Sequence, residues 1–87
     1  MPSTHLDAMP HFYFHLHDDM DVLDEEGIEL PDLKAARERG IRYAVDMTAA
    51  SVLERRKINL HHRIEVADES GQVRHVVEFG DVIRIEQ

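Results

Sequence analysis

The hydrophobic period of this chain changes twice. His11–His17 alternates, with Phe12, Phe14 and Leu16 on one side and His11, Tyr13, His15 and His17 on the other. That two-residue period belongs to a strand with one apolar and one wet face. From Asp32 the period becomes that of a helix, and from Arg63 to Phe79 it returns to alternation. One helical stretch set between strands leaves an α+β fold in the order β-α-β-β, a three-stranded antiparallel sheet with the helix packed on one face.

The helical stretch carries its own punctuation. Asp32 follows Pro31 and can cap the N-terminus. Leu33, Ala36, Gly40, Ala44 and Met47 fall on one stripe, flanked by Ile41, Tyr43 and Val45. Lys34, Glu38, Arg42 and Asp46 lie opposite at spacing four with alternating sign, which marks the solvent face. Gly40 costs about 1 kcal/mol in a helix interior relative to alanine, so its use is close approach of the helix axis to the sheet. Beyond Met47 the stripe blurs: Leu53 falls on the polar side and Val52 on the flank. Arg55-Arg56-Lys57 suits the negative end of the helix dipole. A helix over 32–56 is about 37 Å long, whereas a seven-residue strand spans about 23 Å. The last turns therefore overhang the sheet and need another surface or a bend.

In the second alternating stretch, Ile64 and Val66 face inward between Arg63, Glu65 and Ala67, and Glu69-Ser70-Gly71 makes the turn, with Gly71 in a left-handed position. Val73, Val77 and Phe79 return in phase, with Arg74 and Glu78 outward. Residues 81–87 fit a short fourth strand and one helical turn equally well. Between the first strand and the helix, 18–29 is an acidic turn in which Gly27 supplies a positive φ. Ile28 and Leu30 form a short extended piece able to pair back onto the first strand. Residues 1–9 show no periodicity and are expected to be a disordered extension, with Met9-Pro10 marking an alternative start; residues 10–87 then form the single domain.

Length and charge bound the function. Eighty-seven residues make one thin-cored domain, and the chain has no cysteine, so disulfides and thiolate chemistry are excluded. Small domains without such staples commonly gain stability by pairing with another chain. A formal charge of −8 disfavours phosphate backbones, so no nucleic-acid partner is expected. No run approaches the ~18 apolar residues of a membrane span, so no membrane partner is expected and the cytoplasm is the default location.

Several stretches resemble a family of short, uncharacterised alphaproteobacterial proteins. The resemblance rests on Phe12-Tyr-Phe-His-Leu16, Asp24-Glu-Glu-Gly-Ile-Glu-Leu-Pro-Asp-Leu33, Arg63-Ile-Glu-Val66 with Asp68-Glu-Ser-Gly71, and Val77-Glu-Phe79. It covers residues 9–85 and supports the domain limits; the family's function is unknown, so it implies no activity. His75 stands where the family usually has an aliphatic residue, and Gly40 where alanine is commoner.

The seven histidines are the one unusual chemical feature. His15 and His17 share one strand face with His11, and Asp18 or Asp19 can add an oxygen, a donor set that suits zinc. The plainer account is a polar, exposed strand face, and histidines near carboxylates would make such a surface sensitive to pH near neutrality. His61 and His62 are adjacent and point apart. The acidic stretch 18–29 fails the calcium-loop pattern: with Asp19 and Asp21 as first and third ligands, Leu23 takes the fifth place and Asp24 the one needing glycine. Ser51 and Ser70 lack a base at a recognisable spacing, and there is no glycine-rich phosphate loop, so no enzyme is expected. The leading expectation is a protein–protein interaction or regulatory module, homodimeric through Met47, Val52 and Leu53. The alternatives are a metal- or ligand-binding protein using His11, His15 and His17, and an antitoxin-like partner of a basic protein.

Overall fold

A computed structural model describes residues 9–86; of the expected extension over 1–9, residues 1–8 lie outside the described residues, as does the final Gln87. The elements are β1 (His11–His17), β2 (Asp21–Val22), β3 (Ile28–Glu29), α1 (Leu33–Arg55), β4 (Arg63–Ala67), β5 (Val73–Glu78) and the single turn α2 (Phe79–Val82). The fold is α+β, with five strands among the described residues rather than three. Neighbours run β2-β1-β4-β5, all antiparallel, and β3 shares the outer edge of β1 with β2. The Ile28–Leu30 piece pairs back as expected, Phe12 opposite Ile28, and the ladder continues with the Leu30 N–H donating to Pro10 O at 3.0 Å.

The registers place Phe14 opposite Val66, Leu16 opposite Ile64 and Ile64 opposite Val77. Phe12, Ile64, Val66 and Val77 therefore lie on one face and join Leu30, Ala36, Ala44 and Phe79 in the buried core. Helix α1 packs on β4, β5 and α2, and reaches β1 through an edge-to-face contact of Tyr43 with Phe14, centroids 5.1 Å apart. Its buried residues are Ala36, Gly40, Ala44 and Thr48, a spacing-four row that drifts slowly around the helix. Thr48 takes the place expected of Met47, and satisfies its hydroxyl by donating to Ala44 O at 2.9 Å. A Cβ on Gly40 would stand 3.1 Å from Val77 Cγ2 and 3.2 Å from Val66 Cγ2, so the helix axis does approach the sheet as closely as the sequence required.

Both ends of α1 follow from local chemistry. Asp32 caps it, its Oδ1 accepting from the Ala35 N–H at 2.8 Å. Arg56 closes it in the left-handed region at φ 56°, donating its N–H to Val52 O. The β4–β5 turn is organised by Asp68, whose carboxylate accepts from the Ser70 hydroxyl and from the Ser70 and Gln72 N–H groups. Gly71 sits at φ +86°. A register shift between Val66 and Ala67 leaves Val73 exposed, so only Val77 and Phe79 of the expected inward trio are buried. Phe79 itself leaves the strand and opens α2, the helical alternative for the tail beginning two residues early.

Candidate functional site

Three features gather chemistry: the edge of β1, the histidine row on its open face, and the overhanging end of α1. At the edge, β2 and β3 each cover only two residues of β1, which would leave the Phe14 N–H between them unpaired. The side chain of Asp24 fills that gap. Its Oδ2 accepts from the Phe14 N–H at 3.1 Å, while Oδ1 accepts from the Glu26 and Gly27 N–H groups at 3.1 and 3.0 Å. Burial of Asp24 pushes its pKa up, but the backbone donors Gly27, Phe14 and Glu26 outweigh it and hold the carboxyl below 3.8. Gly27 turns the chain at φ +68°, where a Cβ would stand 2.7 Å from the Tyr13 ring and 2.9 Å from Phe12 O.

On the open face each histidine of the row has its own partner. His11 Nδ1 lies 4.0 Å from Glu29 and 3.9 Å from Glu69. His15 Nδ1 accepts from the Asp24 N–H at 3.0 Å. His17 is held on both sides, Nδ1 to Asp21 Oδ1 and Nε2 to Glu65 Oε1, each at 2.8 Å. Those bonds, first to Asp21 and then to Glu65, raise the His17 pKa above 6.5, and the imidazolium donates to both carboxylates. A metal bound by His11, His15 and His17 would have to displace these partners, and among the described residues no group of three or more His, Asp or Glu is arranged to hold an ion. Asp18 and Asp19 lie in the exposed turn after β1, where Asp18 Oδ1 accepts from the Met20 N–H.

The end of α1 lies beside the end of β1 and α2. A cleft of about 280 Å³ opens there between Met47, Thr48, Ser51, Asp18, His62 and Phe79. The His62 ring meets Phe79 at a centroid distance of 5.7 Å, and its Nε2 is shielded from solvent with no hydrogen-bond partner among the described residues. The volume lies at the lower edge of the ~300–1,000 Å³ range of small-molecule pockets. Of the three proposed interface residues Met47 lines the cleft; Met47 and Val52 are 38% and 40% exposed and Leu53 is 84% exposed. The structure thus brings two of the three proposed interface residues, Met47 and Val52, beside the buried row, and turns Leu53 outward. In the sequence Asp21 and Asp24 stand out only as failed calcium-loop positions, Glu65 only as an outward strand residue and His62 only as the neighbour of His61; of the roles they take here, only that of Asp24, three residues before a turn glycine, carries a local signal.

Among the described residues no helix is long and apolar enough to cross a membrane. No curated protein and no solved structure matches the chain. A family model does match, over residues 11–80, from the first residue of β1 into α2. The chain belongs to that family, the domain of unknown function DUF6894.

Proposed function

We propose that this chain is a non-catalytic protein–protein interaction module that works as a homodimer through the overhanging end of α1. One observation carries the reading. The buried row Ala36, Gly40, Ala44, Thr48 continues at the same spacing to Val52, yet Val52 is 40% exposed because the sheet has ended. Leu53 beside it is 84% exposed, and Met47 lines the cleft of about 280 Å³. Isolated exposed apolar residues need no explanation, but Val52, left uncovered where the core row runs past the sheet and followed directly by Leu53, is an apolar edge that a partner surface can cover.

The size of the effect can be bounded. Burying a leucine contributes about 1.5–3 kcal/mol, and a two-fold dimer counts it twice, so Leu53 alone is worth about a thousandfold in dissociation constant. Glutamate at Met47, Val52 or Leu53 should reduce the mass in size-exclusion chromatography with light scattering to that of one 10.1 kDa chain. Circular dichroism should be unchanged, because none of the three sits in the core. A mass equal to that of the parent protein in all three variants would overturn the proposal.

A further inference from the structure

Helix and preceding segment carry opposite charge. Over 33–57 there are seven lysines and arginines and three acids; over 18–32 there are eight acids and no base. The two meet at the ends of the segment, where Asp32 caps α1 and Asp18 lines the cleft with Arg55; between them, 18–32 supplies β2 and β3 on the outer edge of β1, whereas α1 packs on β4 and β5. The ion pairs that the acidic segment makes among the described residues are with histidines, Glu29 with His11 and Asp21 with His17. The lysine and arginine pairs among the described residues are Arg42–Asp46, Arg63–Glu65 and Arg74–Asp68; Arg55, Arg56 and Lys57 are in none of them. Each surface also has exposed apolar residues, Met20, Val22 and Leu23 on one and Met47, Val52 and Leu53 on the other.

Exposed apolar residues among charges of one sign call for apolar residues among charges of the other. Two α1 helices stacked on each other would set net positive charge against net positive charge. A phosphate polymer would meet the acidic segment of a chain whose total is −8. A second copy of this chain offers the matching surface. Resting on the reading that the chain self-associates, we propose that the end of α1 in one copy docks on the acidic edge segment 18–32 of the other, a two-fold axis generating the reciprocal contact.

The test is a pair of charge-reversed variants of the full chain. One carries Arg55→Glu, Arg56→Glu and Lys57→Glu; the other Asp19→Lys, Glu25→Lys and Glu26→Lys, acids whose side chains make no bond among those described above. Alone, each should dissociate about 100-fold more readily than the parent protein, because like charges then face each other. Mixed in equal amounts they should form a heterodimer in native mass spectrometry, since both of its contacts are complementary. The single-charge pair Lys57→Glu and Glu25→Lys repeats the test with a smaller shift should a triple variant not fold. Parent and variants that all dimerise and mix statistically would overturn the docking arrangement alone. A parent protein that is monomeric throughout would overturn it together with the self-association on which it rests.

Discussion

His17 and Glu65 meet at 2.8 Å across two strands, although residue 65 is directly opposite His15 rather than His17. The contact is therefore diagonal, and with Asp21 on the other ring nitrogen it ties β1, β2 and β4 together through one imidazolium. Arg63, directly opposite His17, approaches the same Glu65 at 3.9 Å and shares its charge.

This clamp gives stability a pH dependence of definite sign. The folded pKa of His17 lies above 6.5, its ordinary value. The contribution is fully present below pH 6.5 and is lost as pH rises through the folded pKa. The melting-temperature difference between the parent protein and His17→Gln should be largest near pH 6 and shrink steadily toward pH 9. A difference that grows with pH would show that the neutral ring is the stabilising form. Asp24 and Asp68 act at the other end: both are depressed below 3.8, so their contributions persist above that value and disappear as pH falls through the folded pKa.

Asp24 does the work of a missing strand residue. Asp24→Ala orphans three backbone donors and should destabilise by about 2–3 kcal/mol in urea titration. Asp24→Asn keeps one oxygen and cannot serve both the Phe14 N–H and the Glu26–Gly27 turn, so about half that loss is expected. Hydrogen exchange at the Phe14 amide should accelerate in both variants, and equal protection in parent and alanine variant would disprove the role.

Gly27 tolerates no side chain. A left-handed φ costs an L-residue about 1–2 kcal/mol, and the added Cβ would stand 2.7 Å from Tyr13 Cε2 and 2.9 Å from backbone oxygen. Gly27→Ala should lose about 2–4 kcal/mol. Gly71→Ala, at φ +86° with nothing within 4 Å among the described residues, should lose only the backbone part. Equal losses at the two sites would contradict the crowding at Tyr13.

Much of this architecture was legible because it is written in local patterns. The alternation of His11–His17, the Asp32 cap, the close approach at Gly40 and the positive φ of Gly27 and Gly71 each depend on neighbours within a few residues. Strand β2 was not legible, since Asp21 and Val22 sit in an acidic, turn-like context and pair only because β1 offers an edge. Met47 lost its core place to Thr48 because the spacing-four row drifts around the helix, which a single averaged stripe conceals. The exposure of Val73 follows from a bulge that no alternation reveals. The His17–Glu65 bond spans 48 residues and depends on strand register, so the histidine row could be seen in the sequence but its partners could not.

The most direct measurement is a native mass spectrum of the untagged protein purified without chelator. The account predicts twice the mass of one chain, reduced to one chain by Leu53→Glu, with no excess corresponding to a metal ion. A bare monomer at every concentration would contradict it, and a stoichiometric zinc excess removed by His15→Ala with His17→Ala would transfer the function to the histidine row.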